Sequence, residues 1–213
     1  MRFHGYFRSS AAWRCRIGFA LKGLAPDFVP VHLRKGEQRA ADFLDLAPQG
    51  LVPALEFDGR ALTQSLAILE WLEETHPTPP LLPADPFDRA EVRAFALAVA
   101  CDIHPVNNLR ILNYLKDPLG HDQGQVDAWY RHWCREGLAA LEVTAARNAD
   151  RGRFTFGDAP GLADVCLVPQ LANARRFGTD LAPYPRLLAI ETAAYELEAF
   201  RSAKPDRQPD AEA

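Results

Sequence analysis

Glu74–Phe87 reads ETHPTPPLLPADPF and carries five prolines. Each proline ring removes an N–H and fixes φ, so a stretch this rich in them cannot continue a helix and favours extended backbone. The stretch is therefore a linker, and the patterns on its two sides differ in kind. Upstream, "RFHGYF" (Arg2–Phe7) is short and aromatic, and Trp13, Ile17 and Leu21 then recur at helical spacing until Gly23. "DFVPVHL" (Asp27–Leu33) alternates as a strand does, and "EQRAADFLDLA" (Glu37–Ala47) has a helical pattern. "VPALEFDGRAL" contains a hairpin turning at Asp58-Gly59, and "SLAILEWLEE" is an amphipathic helix with Ser65 as its expected N-cap.

The upstream order is β-α-β-α-β-β-α, which predicts an α/β thioredoxin-like domain over residues 1–80. Downstream, strand signals stop. Residues 87–116 read as one long helix kinked at Pro105, and three further helical stretches follow from Val126, Gly161 and Arg186. An all-α domain over residues 88–204 is expected. The polar end, 205–213 ("PDRQPDAEA"), is expected to be a flexible tail.

Composition narrows the class. The chain has 213 residues, enough for two modest cores, with 48% hydrophobic and 24% charged residues. A formal charge of −4 does not suggest a nucleic-acid protein, since phosphate binding needs a basic face, and no apolar run approaches the roughly 20 residues of a membrane span. The first ten residues, MRFHGYFRSS, hold no apolar signal-peptide core. Cys15, Cys101, Cys134 and Cys166 form no CxxC, so buried reduced thiols in a cytoplasm are expected and no metal site is.

Four motifs occur in a fixed order: "RSSAAWRCR" (Arg8–Arg16), "GLVPAL" (Gly50–Leu55), "LTQSLAILEWLEE" (Leu62–Glu74) and "GDAPGLADVCLVPQ" (Gly157–Gln170). With "CDIHPVNN" and "ARRF" they resemble the soluble glutathione transferases of the zeta class, among them the maleylpyruvate and maleylacetoacetate isomerases. The resemblance implies glutathione as cofactor, a small dicarboxylate diketo-acid as substrate, and a homodimer. The activity it implies is cis–trans isomerisation in aromatic catabolism by thiolate addition, bond rotation and elimination. A zeta-like transferase acting on α-halo acids, or a non-catalytic interaction module of the same fold, are the alternatives.

The resemblance also implies roles for particular residues. Val52 and Pro53 would be joined by a cis bond, which exposes the Val52 backbone to the cysteinyl part of glutathione. Gln64 and Ser65, at a helix N-terminus that favours anions, would take the γ-glutamyl carboxylate, and Gln49 would touch the peptide backbone. His104 and Asn108, four apart and hence on one helical face, would take the glycyl carboxylate. Ser9 would donate to the glutathione sulfur, with Ser10 as the neighbouring candidate and as the helix cap. The family has cysteine where this chain has Ala11, so a covalent role for that cysteine is absent. Arg8, Arg110 and Arg176 are the candidates for the substrate's negative charge, guanidinium being permanently charged and bidentate. Arg175 is expected to be structural, and Arg14 and Arg16 to form surface or interdomain ion pairs. Gly161 stands where the family has a Ser or Thr cap, with Asp164 able to bond back to the backbone.

Overall fold

The computed structural model describes residues 1–212. Its contacts divide the chain into one unit made of Met1–Leu81 with the segment from Tyr195 on, and a second running Leu82–Ala194.

In the first unit, β1 (Arg2–Gly5), β2 (Asp27–Pro30), β3 (Ala54–Phe57) and β4 (Arg60–Thr63) form a sheet in the order β2-β1-β3-β4. β1 runs parallel to β2, pairing Phe3 with Phe28, and antiparallel to β3, pairing Phe3 with Leu55. The hairpin β3–β4 turns at Asp58 and Gly59, both at positive φ as a tight two-residue turn requires. α1 (Ser10–Leu21) and α3 (Ser65–Thr75) pack on each other. Phe3, Ala12, Cys15, Ile17, Leu55, Ile68, Leu69 and Leu72 are buried there. The predicted helix over Glu37–Ala47 is shorter: a 3-10 turn at Glu37–Arg39 precedes α2 (Ala41–Leu46).

The chain after Tyr195 departs from expectation. α10 (Glu198–Ser202) and a 3-10 turn at Pro205–Arg207 pack with the first unit, where the sequence reading put a helical-domain end and a flexible tail. Polar bonds that composition cannot reveal hold it there. Arg16 Nε donates to Ala203 O at 3.0 Å, and Phe7 N donates to Asp210 Oδ2 at 2.9 Å. Glu212 accepts from Arg34 and pairs with the His32 ring, which draws its carboxyl pKa below the usual value.

The second unit is helical. α4 (Pro86–Leu97) starts on an Asp85 cap that accepts from Phe87 N and Asp88 N. The single long helix expected over residues 87–116 is broken. A π-helical turn (Ala98–Ile103) leads into α5 (His104–Val106), and α6 (Leu109–Lys116) begins afresh on Asn108. Proline lacks the N–H an α-ladder needs, and the wider π turn lies just before Pro105. α7 (Gln123–Arg147) is capped by Asp122 and Gln125 bonding reciprocally. α8 (Leu162–Arg176) is buried continuously from Leu162 to Leu171, as a helix apolar on all sides must be. α9 (Pro185–Tyr195) completes the order.

Gly137 lets α7 approach the π turn: a Cβ there would lie 2.2 Å from Ile103 Cγ1 and 2.4 Å from its Cδ1. Ile103 is β-branched and buried, so it cannot step aside freely. Gly137→Ala should therefore destabilise by about 1–3 kcal/mol despite alanine's better helix propensity. Urea denaturation checks this, and a midpoint at or above wild type would show that the turn has room.

Candidate active site

The first unit holds eight of the sequence-singled positions, at or beside the starts of α1, β3 and α3. Ser9 precedes α1 in extended backbone, and its N–H donates to Tyr6 O at 2.9 Å. Its Oγ accepts from Ala12 N at 3.2 Å, so Ser9 is the cap. Ser10, the expected cap, is the first helical residue and is buried. A hydroxyl that accepts one N–H still has its own proton to donate, so capping leaves Ser9 able to serve a thiolate. Arg8 beside it is exposed, its guanidinium carbon 5.5 Å from the Phe7 ring centre.

The Val52–Pro53 peptide is cis, with Val52 half-buried and Pro53 buried. Gln64 has φ 70°, a conformation that costs a non-glycine residue about 1–3 kcal/mol and tends to cluster at ligand sites. Its Nε2 donates to Gln49 Oε1 at 2.8 Å, joining two residues the sequence placed fifteen apart. Ser65 corrects another expectation. Gln64 occupies the cap position of α3, and Ser65 is the first helical residue, buried, its Oγ accepting from Arg14 Nη1 at 3.3 Å.

Arg14 and Arg16 are not surface residues. Arg16 is buried, and its three nitrogens donate to Ala203 O, Tyr6 O and Phe7 O. Burial lowers its pKa to about 10, with the Asp210 carboxylate opposing the fall. Arg14 is 1% exposed, and its Nε and Nη2 have no hydrogen-bond partner. The sequence did carry a signal: "AAWRCRIGFAL" is apolar around the helix, and an arginine embedded in such a helix has to be buried with it.

The second unit holds the other four. His104 lies in α5 and Asn108 caps α6, its Oδ1 accepting from Arg110 N at 3.1 Å. Because the helix breaks between them, the shared-face argument from their spacing fails. Asn107 is buried with Nδ2 donating to Cys134 Sγ at 3.8 Å, and burial raises that thiol's pKa to about 12. Arg110 and Arg176 are exposed, and the Arg176 guanidinium carbon lies 5.0 Å from the Phe177 ring centre. Arg175 pairs with Glu191, its Nη1 donating to Oε1 at 2.6 Å, which is the structural role expected of it. Cys15, Cys134 and Cys166 are buried, whereas Cys101 is exposed.

The donors collected at α3 fit an anionic peptide. Free first-turn N–H groups, the Ser65 hydroxyl and the Gln49–Gln64 amides can all hydrogen-bond one, and Arg14, its Nε and Nη2 unbonded, reaches the Ser65 oxygen through Nη1.

The chain belongs to the glutathione S-transferase family: the family's N-terminal domain model matches residues 8–75 and its C-terminal domain model residues 127–190. Within it, the chain is 49% identical over 210 residues to maleylpyruvate isomerase from Ralstonia sp, covering 99% of each. It superposes with TM-score 0.97 on the holo structure of a maleyl pyruvate isomerase, a bacterial zeta-class glutathione S-transferase, at 48% identity and full coverage of both chains. It also matches maleylacetoacetate isomerase from Methylobacterium extorquens AM1, solved with bound malonate and glutathione, with TM-score 0.96 at 42% identity and full coverage of both.

Proposed function

We propose that this chain is a glutathione-dependent cis–trans isomerase of maleylpyruvate or maleylacetoacetate. The observation that carries the reading is its whole-length likeness to isomerases of both substrates, one of them solved with glutathione and a dicarboxylate. Glutathione, when bound, supplies the thiolate that adds to the cis double bond and leaves after rotation. The Val52 backbone takes the cysteinyl part, and Gln49 the peptide. Gln64 and Ser65 take the γ-glutamyl carboxylate. In the second unit His104 and Asn108 take the glycyl carboxylate. Asn108 spends its Oδ1 on the α6 cap, which leaves its Nδ2 donors for an anion. Ser9 holds its hydroxyl proton for the sulfur, and Ser10, buried in the first turn, supports it.

Arg8, Arg110 and Arg176 are assigned to the substrate's carboxylates and to the charge that develops at its carbonyl, since guanidinium stays charged through the cycle. A homodimer and a cytoplasmic setting are proposed on the family likeness, and four free cysteines suit a reducing compartment. Among the described residues no helix is long and apolar enough to cross a membrane.

Arg176→Ala should raise KM for the dicarboxylate about tenfold or more and leave KM for glutathione unchanged. Equal effects on both would return Arg176 to the role of a helix-end cation. Calorimetric titration with millimolar glutathione tests the whole reading. A chain that does not bind it is neither this isomerase nor an α-halo-acid transferase, which leaves the interaction module.

A further inference from the structure

Three cations of α1 and its C-cap are buried, and they are treated differently. Lys22 Nζ donates to Glu73 Oε2 and Pro79 O, both at 2.6 Å. Arg16 spends all three nitrogens on carbonyls. Arg14, the most buried of the arginines at 1% exposure, bonds through Nη1 to the Ser65 hydroxyl and leaves Nε and Nη2 unpartnered. A guanidinium keeps its charge, and a buried charge without partners is costly, so a fold gains little by holding one there for structure alone. Nor is Arg14 needed to fasten α1 to α3. The Cys15 thiol already donates to Ser65 O at 3.7 Å, and Lys22 already reaches Glu73.

The placement supplies the missing reason. Ser65 opens α3, an 11-residue helix whose N-terminal N–H groups and dipole favour an anion. We propose that Arg14 is the positioning residue for the γ-glutamyl carboxylate of glutathione, acting through Ser65. By donating into the Ser65 oxygen it leaves the hydroxyl proton free to be given to the bound carboxylate. Its charge, with two nitrogens unbonded in the free protein, gains a counter-ion when the carboxylate arrives. The inference rests on the glutathione reading above and adds a residue to it that no ligand atom needs to touch.

The test is a cycle of variant against ligand, read by calorimetry on the full chain. Arg14→Met is compared with wild type for glutathione and for γ-aminobutyryl-cysteinylglycine, the same peptide without the γ-glutamyl α-carboxylate. The expected result is a glutathione affinity weakened about tenfold, with the carboxylate-free peptide changed less than about twofold. The melting temperature of the ligand-free variant should hold or rise, because an unpaired buried charge has gone. Arg14→Lys, which keeps the charge, should recover part of the glutathione affinity. Equal losses for the two peptides, or no loss for glutathione, would overturn the proposal. So would a lower melting temperature with both affinities intact, which would make Arg14 structural. If Arg14→Met does not fold, Arg14→Gln, neutral and still a donor, carries the same comparison. A wild-type chain that binds neither peptide overturns the functional reading, and this one with it.

Discussion

Asp164→Ala should cost about 3–5 kcal/mol, a large part of the stability an ordinary domain has. The carboxylate is fully buried, and burial pushes its pKa up. Three donors hold it in place: Gly161 N at 2.8 Å, Thr155 N at 3.0 Å and the Thr155 hydroxyl at 2.6 Å. The first is the half of a capping box that the residue three along supplies, kept although glycine has no side chain to make the other half, and the other two tie the preceding loop to the start of α8. Alanine would leave two backbone N–H groups without their acceptor in the interior, each worth about 1–3 kcal/mol. The loss falls on α8, whose buried face from Leu162 to Leu171 is the centre of the second unit. Urea denaturation followed by circular dichroism measures it. A loss under about 1 kcal/mol would mean that water or another donor arrangement replaces the carboxylate. Asp164→Asn keeps one acceptor oxygen but sets an NH2 against the third donor, so it should fall between alanine and wild type.

The sequence made some of this legible and hid the rest for identifiable reasons. The linker prolines, the Asp58-Gly59 hairpin and the helical spacing of Trp13, Ile17 and Leu21 are local signals, and the sheet, α1 and α3 follow them. Asp164 bonding back to Gly161 was equally local, three residues apart. What failed was what distance along the chain decides. Nothing near "PDRQPDAEA" says that Asp210 will meet the Phe7 N–H, so a polar end looked free. Periodicity carried the second unit's first helix straight through Pro105, because a π turn changes the count by one residue without changing composition. His104 and Asn108 then appeared to share a face they do not share. The shift of the cap from Ser10 to Ser9 is a one-residue boundary effect, and helix ends are where pattern reading is weakest. Arg14 is the instructive miss. Charge alone suggested solvent, whereas the apolar residues around it, Trp13, Ile17 and Phe19 among them, show that its helix is buried.

Withholding glutathione should abolish isomerisation of both maleyl compounds, and Ser9→Ala should slow the glutathione-supplied reaction about 10- to 100-fold. The first outcome follows from what stands at the start of α1. Ala11 occupies the family's cysteine position, and Cys15, the first unit's cysteine, is fully buried with its thiol turned to Ser65 O. No cysteine of the first unit is therefore left to act as the nucleophile, which suits a thiol brought by the cofactor. Lowering such a thiol from a pKa of about 8.5–9 to about 6.5 takes about 3 kcal/mol of preference for the thiolate. On the proposed reading, the Ser9 hydroxyl and the N-terminus of α1 supply it. Because Ser9 also caps α1, Ser9→Ala alone would mix chemistry with about 1 kcal/mol of lost stability. Ser9→Gly separates the two, since glycine is only a few tenths of a kcal/mol worse as a cap yet has no proton to give. Both variants should raise the pKa of the bound thiol in an ultraviolet thiolate titration, while only Ser9→Ala should lower the melting temperature appreciably. An unchanged titration in both would remove Ser9 from the chemistry and leave the helix N-terminus to stabilise the thiolate unaided. Turnover without glutathione would instead place the nucleophile within the chain, against everything the first turn of α1 shows.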